Sequence, residues 1–156
     1  MEVTNSFLGP RVPAGEPRSL RDRYRLPTWL FVTAGALLLA SIFVPYWRLD
    51  LAAPQYPDGL AIDIYVNQVD GDVHELEALN HYVGLPGFDE GGVVERQIAV
   101  AGIVALAGLL AAGVFVHTRW VVLFALPAMA FPLVFLADLQ YWLWRYGHDL
   151  DPAAPL

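Results

Sequence analysis

Histidines and carboxylates offer this 156-residue chain its clearest chance of chemistry. His74, Glu77 and His81 follow one another at intervals of three and four, and His148 stands alone near the C-terminus. Neutral imidazole with carboxylate oxygen suits a borderline metal ion. On a helix, His74 with Glu77, or Glu77 with His81, can chelate from one face. The two histidines are seven residues apart, roughly 10.5 Å along a helix axis, so they do not clasp one ion together. The pattern is not the HExxH zinc motif, because both the histidine spacing and the glutamate position differ. A hydrated histidine face on a surface helix is the plainer reading, and both stay open. Asn80 and Asp138 complete the polar candidates, Asn80 with the alternative of anchoring a loop by hydrogen bonds.

Other chemistries have little to work with. The chain has no cysteine, so there is no disulfide, thiolate metal site, attached c-type haem or redox CxxC. It has no lysine, no Gly-rich phosphate loop and no nucleophile elbow. The expectation is a protein that is not an enzyme, with most carboxylates serving solvation. A net charge of −7 speaks against nucleic acid as a partner.

The elements that must position these residues lie in a polar insert, residues 48–97. Leu60, Ile62, Ile64 and Val66 alternate with other residues as on a half-buried strand. Arg48-Leu49-Asp50-Leu51 can pair with it across the turn-rich stretch 54–59. Asp72 followed by Glu75 reads as a capping box, and Gly84 as the close of the helix it opens. Leu76, Leu79 and Val83 form that helix's apolar stripe, with His74, Glu77 and His81 opposite.

Around the insert run three apolar blocks, residues 28–47, 98–117 and 120–144. Each is near the ~20 residues that cross a ~30 Å hydrocarbon layer. At 56% hydrophobic and 16% charged, the composition fits an integral membrane protein. The fold class expected is therefore membrane α-helical: three transmembrane helices with a small extracytoplasmic α+β insert between the first and second. The first block is too long for a secretory signal core, and residues 1–27 read as a disordered tail.

Arginine placement sets the orientation. Arg11, Arg18, Arg21, Arg23 and Arg25 precede the first span and Arg119 lies in the 117–120 link. The insert holds Arg48 and Arg96 against ten carboxylates. The positive-inside rule puts the N-terminus in the cytoplasm and both the insert and the tail 145–156 outside, as in a bacterial inner membrane. Trp29 and Trp120 read as inner anchors, and Tyr46, Trp47, Tyr141, Trp142 and Trp144 as outer ones. Small residues at Gly35, Ala36 and Ala40, and at Ala101, Ala105, Gly108 and Ala112, read as helix-packing faces. Pro127 and Pro132 invite kinks. Asp138 sits near the outer end of its span, with Arg145 two turns on and within reach of it. A structural or interfacial role and a proton-handling role are both open to it.

Three stretches carry a family resemblance: Pro45-Tyr46-Trp47 through Gly59-Leu60, Gly71-Asp72-Val73-His74 through Gly84, and Phe135-Leu136-Ala137-Asp138 through Asp151-Pro152. Together they resemble small bacterial membrane proteins of the NosB-like kind, associated with nitrous-oxide reductase and copper-handling genes. The resemblance implies an accessory role in copper handling, or in maturation of or electron supply to a periplasmic copper enzyme in denitrifying respiration. It makes His74, Asn80, His81, Asp138 and His148 motif positions. Leu85 stands where the family pattern has methionine, and Met1 and Met129 are the chain's two methionines. Beside the metal-handling reading stands a second one, a structural or scaffold subunit of a membrane respiratory complex. The bilayer is a partner in either case.

Overall fold

The computed structural model describes residues 18–87, 92–116 and 120–149; at 18–23, 53, 82 and 83 it describes the backbone alone. Four α-helices and one three-stranded sheet follow in the order α1 (Arg18–Ala40), β1 (Trp47–Ala53), β2 (Tyr56–Ile64), β3 (Val69–Gly71), α2 (Val73–Val83), α3 (Val93–Gly113) and α4 (Val121–His148). Three of the helices contain stretches long and apolar enough to cross a membrane: Tyr24–Phe43, Val93–Gly113 and Val121–His148. The chain is thus a multi-pass membrane protein with a small sheet between its first and second spans. In lipid a helix satisfies its backbone polar groups internally, so an unbroken apolar run is sufficient instruction to form one.

The boundaries differ from the expected ones for identifiable reasons. α1 starts at Arg18, so residues 18–27 of the expected tail are helical; residues 1–17 lie outside the described ones. Pro27 is inside this helix, where its missing N–H removes one bond to the preceding turn. After Ala40 the chain tightens into a 3₁₀ turn, Ser41–Phe43. Pro45 then disfavours helical backbone at Val44. Trp47 consequently opens a strand instead of ending a span. α3 begins at Val93, taking in Glu95, whose charge suits a helix N-terminus. The 28 residues of α4 rise roughly 42 Å, more than a hydrocarbon layer needs.

The compact unit formed by the described residues of 18–40 and 101–133 holds the helix packing. Ile103, Ala107, Leu110 and Val116 are buried there. Gly35 is buried too, and a Cβ on it would lie 3.8 Å from the Ala107 carbonyl oxygen. Gly113 is tighter: a Cβ would come within 2.6 Å of the Phe31 ring. The expected small-residue faces are therefore corrected. Ala36, Ala40, Ala101, Ala105, Gly108 and Ala112 are all exposed, and the packed stripe of α3 runs through Ile103, Ala107, Leu110 and Gly113. Small size permits close approach on any face, but the larger side chains decide which face is packed.

The second unit, formed by the described residues of 41–100 and 134–149, contains the sheet and α2. The strands are antiparallel in the order β1-β2-β3. Leu49 faces Ile62 and Leu51 faces Leu60, with the register broken between Leu51 and Ala53. The turn between β1 and β2 is the Pro54-Gln55 pair, shorter than expected because β2 starts at Tyr56. Leu60, Ile62 and Leu76 form the buried core, flanked by Leu49, Tyr56, Ile64, Val69, Val73 and Leu79. Alternation of apolar residues on β2 and the Leu76/Leu79 stripe on α2 meet here, as the periodicities require. β3 is an addition to the expected pair. Gly71 ends it at φ +100°, where a Cβ would collide with the Ala61 carbonyl, so glycine alone lets the chain cross that close.

Candidate functional site

α2 is the element that carries most of the candidate residues, and backbone bonds fix both of its ends. Asp72 stands at the N-cap position, yet its side chain makes no capping bond. Its Oδ2 instead accepts the Ala61 N–H at 2.9 Å, while the Asp72 N–H donates to the Ala61 carbonyl at 2.9 Å. Thus the expected capping box is replaced by a two-way clamp from helix to strand. Ala61 sits beside the short β3, and its N–H gains a charged acceptor that a neighbouring strand residue would otherwise supply.

At the other end Gly84 adopts the left-handed conformation, φ +77°, and its N–H donates to the Asn80 carbonyl at 2.8 Å. The Asn80 amide pairs both ways with Leu85: Nδ2 donates to the Leu85 carbonyl at 2.8 Å and Oδ1 accepts the Leu85 N–H at 2.9 Å. Asn80 thereby spends its amide on the loop, the anchoring alternative read from the sequence. Between these fixed ends, His74 and His81 are exposed and Glu77 is half-buried.

His148 lies at the end of α4. Its Nδ1 is 2.8 Å from the Trp144 carbonyl oxygen, and because a carbonyl only accepts, Nδ1 carries the proton. The imidazole also stacks on the Trp144 ring, 4.8 Å between centroids. Arg145 pairs with Asp149 at 3.3 Å and lies over the Trp142 ring at 5.4 Å. The reach toward Asp138 read from the sequence is corrected: the guanidinium lies between Asp149 and Tyr141, donating to the Tyr141 hydroxyl at 3.4 Å. Asp138 itself is half-buried on α4, one turn from Phe135, whose ring meets Tyr46 edge-on at 5.0 Å.

Tyr146 was not singled out from the sequence, yet its hydroxyl donates to the Gly87 carbonyl at 2.9 Å across 59 residues. A tyrosine in the last turns of a span reads as an interfacial anchor, and nothing local marks it as a tie to a distant loop. Arg48 pairs with Asp50 at 3.1 Å and with Asp63 at 3.7 Å, and these carboxylates hold its guanidinium charged even more firmly than usual.

Among the described residues, no three or more His, Cys, Asp or Glu side chains gather as a metal ion would need. His74, Glu77, His81 and His148 are therefore not gathered as one set of three or four donors among the described residues. Comparison with protein-family models, with curated proteins and with solved structures finds no match for this chain.

Proposed function

We propose that this protein is a non-catalytic accessory subunit of the cell membrane, whose insert is a rigid docking cap for a membrane or periplasmic partner. In this reading the N-terminus is cytoplasmic, and the insert and C-terminal end are extracytoplasmic, following the arginine distribution. One observation carries it: four polar side chains of the insert and of the end of α4, two of them candidates for chemistry, are committed to the chain's own backbone. Asp72 clamps Ala61, Asn80 clamps Leu85, Tyr146 ties to Gly87 and His148 to Trp144. Such bonds cost a site its reactive groups and return a fixed surface, which lowers the ordering cost of binding a partner.

Copper handling is the second reading. It rests on the family resemblance and on His148, because a ligating histidine commonly donates its other ring N–H to a carbonyl. His81 with Glu77 would then supply the remaining donors from a different arrangement of the chain.

One experiment separates the two. The detergent-solubilised chain is titrated with Cu(I) and Cu(II), alongside His81→Ala and His148→Ala, and its native complexes are isolated by mild pull-down. The docking role predicts a stoichiometric protein partner that both histidine variants retain. Stoichiometric copper binding abolished by those substitutions, with no partner retained, replaces it with the second reading.

A further inference from the structure

The two edges of the sheet differ in kind. β3 is three residues long and turns away at Gly71. β1 is seven residues long, and Trp47, Arg48, Asp50, Leu51 and Ala52 on it are exposed. A long edge strand offers unpaired backbone N–H and C=O groups to another strand. We propose that β1 is a dimerisation edge, pairing antiparallel with β1 of a second copy of this chain about a twofold axis through Leu49.

Register and charge both select that centre. The ladder with β2 is regular from Trp47 to Leu51 and breaks after Leu51, so Leu49 is the midpoint of the regular segment. A twofold axis normal to the sheet maps each face onto itself, placing residues equally far either side of the centre opposite one another. With Leu49 at the centre, Arg48 of each copy faces Asp50 of the other. Centring on Arg48 or on Asp50 would set like charges face to face, which destabilises a strand pair. The same register puts Trp47 opposite Leu51, each 38% exposed, so two apolar side chains would cover one another. Arg48 and Asp50 already face one another within the strand at 3.1 Å, so both heads lie on one face of the edge. Because each chain carries a net charge of −7, bulk electrostatics oppose self-association, and this local complementarity supplies the specificity.

The test is a charge swap read by native mass spectrometry of the full chain in detergent micelles over a dilution series. Wild type is expected as two chains per particle. Asp50→Arg and Arg48→Asp each oppose like charges twice at the interface and should weaken the dimer about tenfold. An equimolar mixture of the two variants restores opposite charges at both positions, and so does the double variant alone; both should return to the wild-type dissociation constant. Asp50→Arg leaves the Arg48–Asp63 pair of the sheet in place, so its result stands even if Arg48→Asp disturbs folding. Single chains for wild type at every dilution would overturn the proposal. So would a dimer that Asp50→Arg leaves unchanged, or one that neither the mixture nor the double variant restores.

Discussion

Apolar side chains serve opposite ends in the spans and in the insert. Along α4, Met129 and Leu133 are 70% and 71% exposed. In the insert, Ile62 and Leu76 are 0% and 4% exposed. In a bilayer the surroundings are as apolar as the side chain, so burial against protein gains little, and packing rests on close contact at a few points. The insert has water to escape, so each of its few core residues matters. A helix can therefore exchange one lipid-facing apolar residue for another, whereas the sheet–helix core depends on particular ones.

Substitutions can break or sharpen this contrast. The largest effect is expected for Ile62→Ala, about 2–5 kcal/mol for a fully enclosed side chain. Limited proteolysis should then cut within residues 47–83 while the helical circular-dichroism signal of the spans persists. Loss of both together would show that insert and spans are one cooperative unit. Gly113→Leu attacks the spans where they do behave like a core, against Phe31 and Phe124. Overpacking there should cost about 1–3 kcal/mol, read as a lower midpoint of unfolding in mixed detergent. Asp72→Ala comes next, at about 1–2 kcal/mol, since it strips the Ala61 N–H of its charged acceptor. Asp72→Asn, which keeps an acceptor oxygen, should recover part of that loss, and hydrogen exchange at the Ala61 amide reports it directly. Leu133→Ala should fall within about 0.5 kcal/mol of wild type in the same unfolding assay, because the side chain faces outward.

The residues themselves show how far sequence reasoning reached. The three apolar runs, the alternation on β2 and the stop at Gly84 were legible because each depends on a local period or one backbone preference. The roles of Asp72 and Tyr146 were not. Asp72 has a capping residue's neighbours, but the Ala61 N–H competed for its carboxylate, and that donor lies 11 residues away. Tyr146 finds its acceptor 59 residues away. The helix-packing face was misread for a related reason: small residues recur on several faces of α3, and neighbouring side chains select one. For the candidate metal ligands, spacing specified which of them share a helix face. It did not specify whether His148 would join them, which depends on chain separated by more than sixty residues.

Length and hydropathy by themselves determined that the described residues hold three helices long and apolar enough to cross a membrane, because a helix in lipid closes its own hydrogen bonds and needs no tertiary partner. The alternation on β2 likewise set which side chains would seek a core. The employment of Asp72, Asn80, Tyr146 and His148 was decided only in the tertiary structure. A side-chain hydrogen bond goes to whichever partner the fold brings within about 3 Å, and the linear order of residues does not encode that distance.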